Sequence, residues 1–391
     1  MQRREFGKTV VGGAVGAALG SLAGTGTSIA QEQRPLTPRK NLKMYVGGDY
    51  HNVEGGPSRT TRENLMYHLR YGVKALNLDP VQEAHGGDGI GQGGYGFNPA
   101  DGPMGGAYDV DVLKKMKDDC DAVGMGIATL RMDSGFVHLT NPADQDKKLD
   151  QVCENIRKAA GIDVHVMDQH WRMIPIRRNL KIPGRGDSVY TAFKLEDDWK
   201  SLPPGIAGHV TLYQYWERIE IFLKRVIPVC AEYKVAMANH LYDPPGLPWG
   251  YQGVENFDSP SIYDAYKRYE KIVDSPWNGF QMDCGVIGEG STDVNRTEPE
   301  LVRYLLERGK VKHVHMRNIK GGLNDFAEVY PDEGVVDLFK IMRIFRDTGY
   351  EGAICPDHLP SSPGDPNTLQ GYAFGYGYLH GLINGVNSEV S

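Results

Sequence analysis

From Leu42 onward the chain repeats one alternation: a short apolar run, then a longer stretch whose apolar positions recur at helical spacing. The short runs predict strands over 43–47, 73–79, 126–132, 163–169, 235–241, 279–285, 311–318 and 352–357. Between them the spacing predicts helices such as 60–71, opened by a Thr60-x-x-Glu63 capping box. In another, 111–124, Val112, Leu113, Met116, Cys120 and Val123 share a face before Gly124 stops it, and 335–348, ending at Gly349, reads likewise. Eight strand–helix units in order, each strand short and apolar, predict a parallel (β/α)8 TIM barrel rather than an open doubly wound sheet.

Two segments interrupt the rhythm. Residues 86–106 are glycine-rich, and Gly89-x-Gly91-x-x-Gly94 has the outline of a dinucleotide fingerprint. No helix opens directly after it and no βαβ unit encloses it, so a loop over the barrel mouth is expected instead. Residues 172–210 form an insertion after the fourth strand and carry Arg172, Arg177, Arg178, Lys181 and Arg185. Such a run is most often a solvated face; coming directly after Asp168-Gln-His170-Trp171 at the mouth, it also offers an arginine to an anionic substrate.

The first thirty residues carry a different pattern. Arg3-Arg4-Glu-Phe-Gly-Lys8 is followed by an apolar stretch from Thr9 to about Ala23 and a small-residue site at Ser28-Ile-Ala30. This predicts a twin-arginine signal peptide over 1–30, a linker over 31–42 and a single barrel domain over 43–391. The expected destination is the periplasm or the medium, with no stable membrane insertion after cleavage, because so short and glycine-rich a stretch spans a bilayer poorly. Losing Arg3, Arg4, Lys8 and Glu5 takes the formal charge from −7 to −9, which argues against nucleic acid as a partner. The five cysteines are an odd number at no framework spacing, and Cys120 and Cys153 read as core. A homo-oligomer is compatible with all of this.

Candidate chemistry gathers at the ends of the last four strands. In a barrel every strand delivers its C-terminal residues to one mouth. The runs ending at 235–240, 279–284, 311–316 and 352–358 would bring His240, Cys284, His315 and Asp357 together, with His313 on the same strand face as His315. A lone strand histidine is more often a hydrogen-bonded core residue than a ligand; four converging strands change that balance. Imidazole, thiolate and carboxylate suit a divalent transition ion of the zinc, manganese or iron kind rather than calcium or magnesium.

Five spaced motifs add a resemblance. In order, His240-Leu-Tyr-Asp-Pro-Pro245, Cys284 with Gly285 and Ser291, His313-Val-His-Met-Arg-Asn318, Phe326-Ala-Glu328, and Pro356-Asp-His358 followed by Gly371-Tyr372 resemble the motif series of the mannonate dehydratase family, over roughly 43–385. The resemblance implies a xylose-isomerase-like barrel that binds one manganese(II) or iron(II) per chain (Mn2+ or Fe2+) through His240, Cys284, His315 and Asp357. It implies a small-molecule sugar acid as substrate, D-mannonate losing water to give 2-keto-3-deoxy-D-gluconate, with His358 and Tyr372 as the acid/base pair. Arg317, on the strand face of His315, is a candidate for the substrate carboxylate, with a structural salt bridge as the alternative. Asn318, Asp243 and His170 are candidate substrate contacts at the mouth, and His313 is expected behind the ligands. Pro356 should end the last strand, leaving Asp357 to the ion and turning His358 toward substrate.

The departures are specific. The family usually has His-Pro-Asp-Asp-Pro-Pro where this chain has Leu241 and Tyr242, Phe-His-Glu where it has Ala327, and arginine before Pro-Asp-His where it has Cys355. They keep open another exported lyase, epimerase or isomerase acting on a sugar acid or oligosaccharide. A different class, a periplasmic sugar-binding protein with a structural metal, also remains.

Overall fold

The structure, a computed structural model, describes residues 35–49, 58–84, 106–132, 134–174, 178–255 and 261–390. Its strands in chain order are β1 (Met44–Val46), β2 (Ala75–Leu78), β3 (Gly126–Arg131), β4 (Val166–His170), β5 (Leu180–Pro183) and β6 (Val189–Lys194). They continue as β7 (Ala236–His240), β8 (Asn278–Asp283), β9 (Val311–His315), β10 (Asn318–Gly322), β11 (Asp325–Val329) and β12 (Gly352–Cys355). Eight of them pair in parallel in the order β1-β12-β9-β8-β7-β4-β3-β2. Backbone bonds from Lys74 N to Val46 O, Gly48 N to Ala75 O and Asn77 N to Gly48 O then join β1 to β2, so the sheet curls into a TIM barrel.

The two-residue period of the strands sorts their side chains between two environments. Val314, Met282, Met237 and Ile354 are fully buried among the apolar core residues. Alternate positions, such as His313 and His315 on β9 and Gln281 and Asp283 on β8, carry the polar groups. The helices close over the apolar side: Leu212–Tyr233 opens with a Thr211–Gln214 capping box, buries Tyr215, Ile219, Phe222 and Val226, and stops at Lys234 in the left-handed region. Asn41 on the approach to β1 bonds Asn387 near the end of the last helix, backbone N to Oδ1 at 2.7 Å and Asn387 Nδ2 to Asn41 O at 2.9 Å.

Boundaries differ from expectation where side chains cap the backbone. The helix expected over 60–71 is Arg62–Arg70, and its cap is Thr61, because Thr60 Oγ1 is committed to Asp119 instead. The strand expected over 279–285 stops at Asp283, whose Oδ1 accepts from Val286 N at 2.9 Å and starts a short helix, Cys284–Glu289. The strand expected over 311–318 divides at Met316. Beyond it β10 leaves the barrel and joins a four-stranded antiparallel sheet, β10-β11-β6-β5. Part of the insertion after the fourth strand is therefore the hairpin β5–β6. The expected leader over 1–30, the first four residues of the expected linker (31–34), the glycine-rich stretch with its fingerprint (86–105) and Arg177 lie outside the described residues. Among the described residues no helix is long and apolar enough to cross a membrane.

Candidate active site

The barrel strands end in a cluster of buried imidazoles and carboxylates. Ligand atoms of His240, Asp283 and His315 lie within 4.8 Å of one another, as do those of Asp49, His315 and Asp357. The two groups share His315. His240 Nε2 is 3.5 Å from Asp283 Oδ2, and His315 Nδ1 is 3.2 Å from Asp357 Oδ2. His170 stacks on His240 with centroids 4.4 Å apart, while its Nε2 is 3.2 Å from Asp168 Oδ2. Gln281 Nε2 lies 2.8 Å from His315 Nε2. Burial, and then the neighbouring His240, holds His170 well below the ordinary imidazole range, so it is neutral. Burial opposes ionisation of Asp357, yet His358, His315 and Arg317 outweigh it and hold that carboxyl well below the usual range. Two imidazoles facing buried carboxylates are a donor set that fits a divalent ion.

Around this cluster two arginines bind five carboxylates. Arg317, almost wholly buried, reaches Asp283 (3.0 Å), Glu289 (2.6 Å), Asp243 (3.3 Å), Glu328 (3.6 Å) and Asp357 (3.7 Å). Gly285 makes room for it, since a Cβ there would stand 2.6 Å from the guanidinium carbon. Arg178, at the start of the inserted hairpin, meets Asp243 at 2.9 Å, Glu289 at 3.0 Å and Glu328 at 2.7 Å. The insertion thus ties itself to the mouth through one of its arginines. Arg185 pairs instead with Asp332 at 2.6 Å, and Lys181 is exposed on β5.

His358 occupies the outer side. After β12 ends at Cys355, the backbone at His358 turns to φ 47°, a left-handed conformation uncommon for a non-glycine residue. Its Nδ1 meets Glu328 Oε1 at 2.5 Å and its Nε2 lies 3.5 Å from Asp357 Oδ2. Burial alone would lower its pKa, but Asp357 and Glu328 push it up to about 9, so the ring carries a proton at neutral pH. Tyr372 is buried in the first turns of the helix Leu369–Ser388, its ring 6.3 Å from that of Tyr376.

The structure separates the sequence candidates. His240, His315 and Asp357 converge; Cys284 does not join them. As the first residue of the helix that Asp283 caps, it is wholly buried and faces Glu298 rather than the imidazoles. Asn318 is spent on its own loop, donating to Pro331 O and Val336 O and accepting from Ile319 N and Val336 N. His313 is buried beside His315, ring centroids 5.3 Å apart. Cys355 is fully buried against Gly47, where a Cβ would come within 2.7 Å of its sulfur. Sequence reading missed Asp283, Asp49, Gln281 and Glu289. Asp283 carried a signal, for it is two residues from Gln281 on the inward face of β8; Asp49, after Gly47-Gly48, followed too short a strand to stand out.

Comparison with known proteins bears on the same residues. The family model described as D-mannonate dehydratase (UxuA) matches residues 206–390, which carry β7, β8, β9 and β12. The mannonate dehydratase of Thermotoga petrophila is 28% identical over 301 residues, 66% of this chain and 79% of that protein. That of Streptococcus uberis is 33% identical over 226 residues, 55% of this chain and 60% of that protein. Over its C-terminal half the chain is thus similar to the mannonate dehydratases. The barrel agrees: the crystal structure of mannonate dehydratase from Streptococcus suis serotype 2 superposes with a TM-score of 0.70 at 20% identity, covering 88% of this chain and 95% of that one. A xylose isomerase domain protein from Planctomyces limnophilus shares the fold at a TM-score of 0.53. The expected twin-arginine export to the periplasm or medium is corrected here, because the mannonate dehydratases that this chain matches are soluble cytoplasmic enzymes.

Proposed function

We propose that this protein is a divalent-metal-dependent hydro-lyase that removes water from D-mannonate to give 2-keto-3-deoxy-D-gluconate. The observation that carries the reading is the imidazole of His358, fixed by Glu328 and standing beside a buried His/Asp cluster whose donors fit a divalent ion. His240, His315, Asp283 and Asp357 would hold that ion. When bound, manganese(II) or iron(II) supplies Lewis-acid stabilisation of the negative charge that builds beside the substrate carboxylate.

The remaining work falls to side chains. The carbon next to the carboxylate loses its proton, the neighbouring carbon loses its hydroxyl as water, and the resulting enol becomes the ketone. His358, charged at neutral pH, is suited to protonate the departing hydroxyl, which leaves the carbon proton to Tyr372. Glu328 fixes the ring of His358 through Nδ1 and is itself fixed by Arg178. Arg317, occupied by five carboxylates, orients Asp283 and Asp357 toward the centre. His170 steadies His240 by stacking.

The test is direct. Protein loaded with manganese(II) or iron(II) is incubated with D-mannonate and with a panel of other aldonic and uronic acids, and 2-keto-3-deoxy acids are assayed. Product from D-mannonate is expected; metal-loaded protein that yields none from any of these acids would refute the reading.

A further inference from the structure

Strand alternation decides which of two adjacent donors reaches the metal centre. Along β8, Gly279, Gln281 and Asp283 fall on one side, Phe280 and Met282 on the other. Gln281 Nε2 lies 2.8 Å from His315 Nε2, which marks its side as the one facing the centre. Asp283 uses Oδ1 to cap the next helix at Val286 N, so Oδ2 is the oxygen presented to His240 and Arg317. Cys284 is the next residue but the first of the helix that Asp283 caps, wholly buried and beside Glu298.

We propose that the metal centre of this protein is thiolate-free: Asp283 takes the place at which the motif resemblance puts a cysteine, and Cys284 is a packing residue. The inference rests on the metal-dependent reading above. Two imidazoles and two carboxylates make a harder donor set than one that includes a thiolate. Carboxylate ligands suit manganese(II) and magnesium, whereas thiolates draw zinc and other thiophilic ions. Replacing sulfur by oxygen therefore shifts the preference of the site away from thiophilic metals. It also removes the ligand most open to oxidation.

Optical spectroscopy of the cobalt(II)-loaded protein tests this without reference to turnover, because a thiolate ligand gives cobalt(II) a charge-transfer band in the near ultraviolet. The wild-type protein should lack that band, and Cys284→Ser should keep the same spectrum and the same manganese(II) affinity by equilibrium dialysis. Asp283→Cys should gain the band, and its affinity for cadmium(II) relative to manganese(II) should rise by about an order of magnitude. A wild-type band abolished by Cys284→Ser would overturn the proposal while leaving the metal-dependent reading intact. Failure of the wild-type protein to take up either ion would overturn both. Should Asp283→Cys not fold, the wild-type and Cys284→Ser spectra decide the question by themselves.

Discussion

His358 and Arg317 carry opposite kinds of consequence. His358 hangs from a left-handed turn after Pro356, is held by Glu328 and keeps its Nε2 3.5 Å from Asp357 Oδ2. Replacing it by Asn should lower kcat by about two to four orders of magnitude, the span for losing a general acid, while metal content by elemental analysis stays whole. A variant that loses its metal would place His358 among the ligands. Arg317→Met acts on stability instead. It strips a guanidinium that lies within 4.0 Å of five carboxylates, Asp243, Asp283, Glu289, Glu328 and Asp357. Breaking a buried ionic cluster from one side costs about 3–5 kcal/mol, and urea denaturation should show a loss of that order that shrinks as the pH is lowered and the orphaned carboxylates take up protons. At this scale the sequence was legible by residue type but not by register. His240, Cys284, His315 and Asp357 stand out in the sequence as strand-end donors, but which of Asp283 and Cys284 faces the cluster depends on register, because a one-residue step in a strand reverses the face.

Among the elements, the barrel strands were readable because each is a short apolar run between helices of clear amphipathic period. The antiparallel sheet β10-β11-β6-β5 was not. Leu180–Pro183 is exposed along its whole length, and Asn318–Gly322 continues directly from a barrel strand, so neither shows a period that separates it from its surroundings. The strand and helix ends were misplaced wherever a side chain captured a backbone N–H, as Thr61 and Asp283 do. The short 3-10 turn Gly135–His138 carries an acid-sensitive feature. Burial, and then Arg218 and Arg172, lower the pKa of His138 from 6.5 to about 4. The unfolded chain takes up this proton at the ordinary pKa and the folded one only near 4. The contribution is therefore complete above pH 6.5 and is lost as pH falls from 6.5 toward 4, with a slope of at most about 1.4 kcal/mol per pH unit. His138→Gln should flatten that part of the stability–pH curve; an unchanged slope between pH 6.5 and 4 would show that His138 is not its source.

At the scale of the whole molecule, the pairing of Asn41 with Asn387 brings the first strand and the last helix together across 346 positions of sequence. Asn387 Nδ2 also donates to Ile383 O, and Asn41 Nδ2 donates to Tyr350 O, so both amides are fully engaged in a buried junction. Asn387→Ala leaves those partners unpaired and should lower the unfolding free energy by about 1–3 kcal/mol in chemical denaturation, without altering metal content. The same junction makes the order of the eight units a matter of bookkeeping rather than of architecture. A ring has no first member: with residues 41 and 387 already in contact, the two could be spliced by a short linker and the backbone opened at the exposed turn around Gly186. The rearranged chain would still place β7, β8, β9 and β12 side by side, and with them His240, Asp283, His315 and Asp357.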